Sequence, residues 1–184
     1  MAGACSAGPA IAPPVRTVSA AVTSTPPASA DVAPNQREAW SGVFIGGQPD
    51  EAQLREAARQ GFAAVVRLRA ESEPMAERES SVVHALGIRY YVLPITSTSH
   101  LTEDRAHDLA AVLEGNHGPV LVHCATGNRA AALFTVERYL ISGFRPESAL
   151  MIGLRSGLTH WEPAVRERLG LGPQAAPTYA DARD

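Results

Sequence analysis

Pro119-Val120-Leu121-Val122-His123-Cys124-Ala125-Thr126-Gly127-Asn128-Arg129 decides the fold, because an apolar run opens into a short loop with a cysteine at one end and an arginine at the other. Residues 120–122 have the composition of a buried parallel strand, and the stretch from Ala130 to Leu140 reads as a helix. Strand, tight loop and helix in that order wrap the loop over a helix N-terminus. Unpaired backbone N–H groups and the positive end of the helix dipole gather there, so the loop is a nest for a tetrahedral anion.

Each residue type in the loop has a use in that nest. Cys124 is the candidate nucleophile, since a helix N-terminus and a nearby cation favour the thiolate, the reactive form of cysteine. Arg129 supplies the cation, and its planar fork binds two anion oxygens in parallel. Gly127 lets the backbone turn with positive φ close to the ligand. The backbone from Ala125 through Thr126, Gly127 and Asn128 to Arg129 forms the anion-binding loop, with the Thr126 and Asn128 side chains free to bind substrate or hold the turn. His123 is expected to orient the loop and not to act as a base, because a thiolate needs none. A lone cysteine is usually a small buried hydrophobe; the Gly and Arg spacing argues for reactivity here.

Outward from the loop, strands and helices alternate. Residues 43–45 form a short strand, 49–60 a helix stopped at Gly61, and 62–68 a second strand. A helix over 74–86, a third strand over 88–93 and a helix over 102–114, N-capped by Thr102, precede the strand at 120–123. Helices over 146–157 and 161–169 follow. The pattern predicts an α/β three-layer domain with a mostly parallel central sheet of about four to five strands flanked by helices. Ligands in such sheets collect beyond the carboxyl ends of the strands, where Cys124 lies.

With those elements placed, the Cys124 loop resembles the active-site loop of protein tyrosine and dual-specificity phosphatases, one residue shorter between cysteine and arginine. Gly46-Gly47-Gln48-Pro49, residues 61–69, residues 87–95 and the Cys124 loop together resemble the phosphatase-like domain of the beta-lactamase hydrolase-like proteins. That resemblance implies a dual-specificity-phosphatase-like fold and a cysteinyl-phosphate reaction at Cys124 and Arg129. It also leaves open a rhodanese-like sulfurtransferase, in which Cys124 carries a persulfide, because members are described in both ways. Cys-x4-Arg is a rhodanese spacing too. Two further departures matter: Ala130 and Ala131 follow the arginine where phosphatases usually place Ser or Thr, and Thr96-Ser97-Thr98-Ser99-His100 stands where they usually carry an Asp acid. His100 is a weak stand-in acid by its reference pKa. Arg69, followed by Glu71 and Glu73 at the end of the second strand, is a weak candidate to reach the pocket, a solvated loop being the plainer reading. Arg155, on a helix after the loop, is a weak candidate to touch a second anion, a surface ion pair being the plainer reading.

Composition bounds the remainder. The 184 residues allow one domain with a sizeable core, and the net charge of −3 argues against a nucleic-acid or anionic-membrane surface. All sixteen basic residues are arginines, which excludes a Walker-type loop and suggests a GC-rich bacterial source. With two cysteines, Cys5 and Cys124, no disulfide framework is expected; the remaining histidines lack ligand spacing, so no metal or other cofactor is implied. Residues 1–36 are Ala, Pro, Ser and Thr-rich and are expected to be a disordered tail, residues 37–172 the catalytic domain and residues 173–184 a flexible C-terminal tail. No cleavable signal or integral membrane segment is visible. Met1-Ala2-Gly3-Ala4-Cys5 before a Pro-rich tether loosely resembles a lipidated start, so both envelope and cytoplasm are open. The expected partner is a small anionic or phosphorylated substrate. A third, non-enzymatic reading is an anion-binding or redox-sensing module with a reversibly oxidised Cys124.

Overall fold

A computed structural model describes residues 30–173 apart from Met75. Cys5, with the lipid or tether considered for it, lies outside the described residues, as do positions 1–29 and 174–184 of the expected tails.

A five-stranded sheet in the order β1-β2-β5-β3-β4 organises the chain. It comprises β1 (Arg37–Trp40), β2 (Val43–Gly46), β3 (Ala64–Arg67), β4 (Arg89–Val92) and β5 (Val120–His123). β5 pairs in parallel with β2 and β3, and β3 with β4; only β1 runs antiparallel, against β2. The helices are α1 (Glu51–Arg59), α2 (Ala76–Ala85), α3 (Glu103–Glu114), α4 (Asn128–Leu140), α5 (Pro146–Arg155) and α6 (Glu162–Arg168), with a 3₁₀ turn at Thr98–His100. The three-layer α/β reading therefore holds.

Strand parity builds the two cores. Val43, Ile45, Ala64, Val66, Val120 and Val122 face α3 to α6, whereas Val65 and Leu121 face Leu54 and Ala57 of α1 and Val83 of α2. Every residue of β3 and β5 is buried, as a central parallel pair covered on both faces requires. The same parity sends His123, two residues after Leu121, to the α1/α2 side. The loop after β5 then leaves the middle of the sheet and enters α4, whose first two turns from Ala130 to Val136 are fully buried.

Helix boundaries follow their caps. Asp50, not Pro49, starts α1: its carboxylate accepts the Gln53 N–H at 2.8 Å while the Gln53 side chain accepts the Asp50 N–H at 3.1 Å, a capping box. Thr102 caps α3 as expected. β1 was not anticipated, since Arg-Glu-Ala-Trp is an exposed edge strand without alternation. The packed body also begins before residue 37. Val32 and Ala33 are fully buried in the α1/α2 core, and the Pro34 carbonyl accepts the Gly47 N–H at 2.7 Å, so two apolar side chains anchor a stretch whose composition suggested a tail.

Candidate active site

The strand end at Gly46-Gly47-Gln48 cradles the Cys124 loop. The Cys124 N–H donates to the Gly46 carbonyl at 3.3 Å, the Gln48 N–H to the Ala125 carbonyl at 3.2 Å, and Gly47 bridges Thr126. A Cβ on Gly47 would come within 3.0 Å of the Ala125 carbonyl oxygen, so the approach of the two backbones needs glycine. Gly127, in the left-handed region at φ 98°, begins α4. That turn aims its N–H at the cysteine, donating to Cys124 Sγ at 3.2 Å. The thiol side chain is buried, 1% exposed, at the mouth of α4.

Arg129 is held from behind. Its Nη1 and Nη2 donate end-on to Glu73 Oε1 and Oε2, both at 2.9 Å, and Nη1 also reaches the Ile95 carbonyl at 3.1 Å. A guanidinium has five N–H donors. Three are engaged, which leaves the edge formed by Nε and the second Nη2 hydrogen for an anion. Hydrogen bonds donated to Glu73, and after them the charge of Cys124, hold Arg129 above its ordinary value against the effect of burial. The reciprocal effect on Glu73 is large: hydrogen bonding to Arg129 first, then to Arg69 and the Ala70 N–H, outweighs burial and lowers it to about 2.

A second acid, this one buried, braces the other flank. His123, fully buried, meets Glu79 of α2 through Nε2 and Oε1 at 2.7 Å. Burial pushes Glu79 up, but the hydrogen bond and charge of His123, with help from Gln48 and Arg67, leave it below its ordinary value. Gln48 Nε2 donates to Glu79 Oε2 at 2.6 Å, Arg69 Nη1 to Gln48 Oε1 at 2.6 Å, and Arg69 Nε to Glu73 Oε2 at 2.9 Å. A continuous chain, His123–Glu79–Gln48–Arg69–Glu73–Arg129, thus joins the residue before the cysteine to the arginine after the loop.

Several sequence expectations change here. Arg69 and Glu73 do not lie in a solvated loop: Arg69 is 9% exposed and touches the arginine of the site through Glu73. Glu79 and Gln48 were missed as site residues, although Gln48 directly follows the paired glycines that close on the loop. His100 is exposed, and its Nδ1 accepts the Thr96 N–H at 3.2 Å. Thr96, not His100, lines the cleft beside Arg129. His160 lines it too. Asn128 holds the turn: its amide donates to Thr159 Oγ1 and its Oδ1 accepts the Trp161 N–H at 3.2 Å. Arg155 is exposed and outside the cleft.

That cleft, of about 570 Å³, runs from Thr126, Asn128 and Arg129 to Arg37 and the turn of residues 156–161. Among the described residues its lining includes two arginines and a histidine and no carboxylate.

This chain is 26% identical over 119 residues to the beta-lactamase hydrolase-like protein of Xylella fastidiosa, an alignment covering 62% of this chain. The chain spans about a quarter, 27%, of the length of that curated relative. Among solved structures, a Neisseria meningitidis protein described as a phosphatase candidate superposes with a TM-score of 0.59 at 17% identity, over 71% of this chain and 96% of the other. Tk-PTP in its active form gives 0.56 at 26% identity, over 74% of this chain and 96% of the other. The profile for the phosphatase-like domain of the beta-lactamase hydrolase-like proteins matches residues 37–140, from the edge strand through the helix behind Cys124, and the chain belongs to that family.

Proposed function

We propose that the domain is a cysteine-dependent phosphatase that hydrolyses a phosphate monoester through a cysteinyl-phosphate. The observation that carries this reading is the Cys124 sulfur at the mouth of α4, taking the Gly127 N–H, beside an arginine whose Nε edge meets no carboxylate or carbonyl among the described residues. Cys124 attacks phosphorus and the ester oxygen leaves with the bonding electrons. Arg129 and the loop N–H groups hold the equatorial oxygens as their charge shifts. Water then attacks phosphorus, the S–P bond breaks, and inorganic phosphate and the thiolate are released. His123 and Glu79 keep the start of the loop in register, and Glu73 keeps Arg129 aimed.

Without a carboxylate in the cleft, protonation of the leaving oxygen is weakly supported, so aryl phosphates with stable leaving groups are the preferred reagents. A missing acid costs roughly 10²- to 10⁴-fold on poor leaving groups. The same missing carboxylate favours a second reading, sulfur transfer from thiosulfate through a Cys124 persulfide, because sulfite departs unprotonated. One paired measurement decides. Purified protein is given an aryl phosphate in one vessel and thiosulfate with cyanide in another, and phosphate or thiocyanate is measured. Phosphate release lost in Cys124→Ser is the expected result. Thiocyanate without phosphate would replace the first reading with the second, and neither product would leave a non-catalytic anion-binding or redox-sensing role for Cys124.

A further inference from the structure

Arg129, Arg37 and His160 line one cleft that holds no carboxylate among the described residues, in a chain whose net charge is −3. Arg129 is neutralised from behind by Glu73, as above. Arg37 is different: its guanidinium makes no hydrogen bond or ion pair with any side chain or carbonyl among the described residues, which is also true of Arg155 and Arg168, but of these three only Arg37 lines the cleft.

The fold aims Arg37 at the cleft. Arg37 stands opposite Ile45 on the edge strand, one residue before the Gly46-Gly47 pair that cradles the Cys124 loop, so its backbone lies at the level of the site. Its Nε sits 3.8 Å from the position a Cβ would take on Gly157, a left-handed residue at φ 100° in the turn forming the far wall. Asn128 donates to Thr159 Oγ1, and the Thr159 hydroxyl in turn lies 3.0 Å from His160 Nδ1. Trp161 adds a flat, half-buried wall between the two ends.

Resting on the phosphatase reading above, we infer that the substrate is a small organic phosphate with a second anionic group, whose first phosphate sits in the Cys124 loop and whose second anion is bound by Arg37. A volume of about 570 Å³ is far more than one phosphate fills and lies within the usual range for small-molecule sites, ~300 to 1,000 Å³. A hydrogen bond to a charged group contributes more than a neutral one, and a doubly tethered ligand gains at both ends.

Direct binding tests this without turnover. The Cys124→Ser protein is titrated calorimetrically with α,ω-bisphosphonates of increasing chain length and with the matching monophosphonates. At one chain length the bisphosphonate is expected to bind about tenfold more tightly, and Arg37→Ala in the same background should shrink the preference to about twofold, the statistical advantage of two equivalent ends. Arg37→Lys should keep part of it. A preference no greater than twofold at every length, or one that survives Arg37→Ala, would make Arg37 a solvated surface arginine only and overturn the inference. Aryl phosphate turnover by the wild-type protein is measured alongside. Turnover without the preference sinks the second subsite alone; an Arg37-dependent preference without turnover sinks the phosphatase reading and leaves the subsite standing.

Discussion

Glu73 is 56 residues from Arg129 along the chain and forms both hydrogen bonds of its fork, so the arginine's aim depends on an acid that its own neighbourhood does not supply. Glu73→Gln puts an amide N–H against a guanidinium N–H and breaks the pair. Small misplacements of a positioning group cost up to about a hundredfold, so kcat/KM for an aryl phosphate should fall roughly 10- to 100-fold, mostly in kcat. The substitution also has a pH signature. The folded Glu73 lies at about 2 against an ordinary 4.5, so its ionised form contributes stability that is complete above about 4.5 and is lost as pH falls toward 2. Thermal midpoints recorded from pH 7 to pH 2 should show a shallower acid decline in Glu73→Gln than in wild type; parallel curves would disprove the linkage. At this scale the sequence disclosed what is local. Cys124, Gly127 and Arg129 stand within six positions, and the chemistry of each is readable from spacing alone. Glu73 and Glu79 owe their roles to partners 56 and 44 positions away, and a charged residue near a strand end looks identical whether it meets solvent or an arginine.

Among the elements, α4 carries the loop and α5 holds α4 in place. Gly153 of α5 faces Thr135 of α4, whose hydroxyl donates to the Ala131 carbonyl at 2.7 Å. A Cβ on Gly153 would run into Thr135 Oγ1 and lie 3.1 Å from its Cβ and 3.2 Å from Leu158 Cδ2. α4 is buried along this stretch and cannot step back, so the strain falls on Thr135 and on the seating of α5. Gly153→Ala, a change that ordinarily stabilises a helix, should here destabilise the domain by about 1 to 3 kcal/mol in denaturant titrations. Adding Thr135→Ala should recover part of that loss by removing the hydroxyl, and a stabilised single variant would show that the helices are farther apart than described. Helices were the most legible elements because their ends are chemically marked: Thr102 before α3, Gly61 after α1, Pro146 opening α5. β1 carried no such mark. It pairs only with β2 and exposes most of its residues, so neither a buried run nor an alternation distinguishes it from a loop.

For the molecule as a whole, the boundary of the packed body decides whether the site survives in isolation. Composition placed the start of the domain at residue 37, because an Ala- and Pro-rich stretch with few large apolar residues looks unable to offset its ordering entropy. That estimate averages over residues, whereas packing needs only a few of them. Ala33 fills the space over Gly46, where an added Cβ would come within 2.6 Å of Ala33 Cβ, and the N–H of the fully buried Val32 donates to Gln36 Oε1 at 2.8 Å. The Pro34 carbonyl then holds the Gly47 N–H, and Gly47 in turn pairs with Thr126 of the anion loop. A chain beginning at residue 37 would therefore lose a fully buried Val, about 1.5 to 3 kcal/mol, and a backbone hydrogen bond of roughly 1 kcal/mol, and would free the strand end that braces the loop. The expected result is a lower midpoint in urea by that sum, together with weaker phosphate binding. A chain beginning at residue 30, which keeps Val32, Ala33 and Pro34, is the reference for both. Equal stability of the residue-37 and residue-30 chains would mean that Val32 and Ala33 merely rest on the sheet, and that the Cys124 loop is held by Gly46, Gly47 and Gln48 without support from the segment before them.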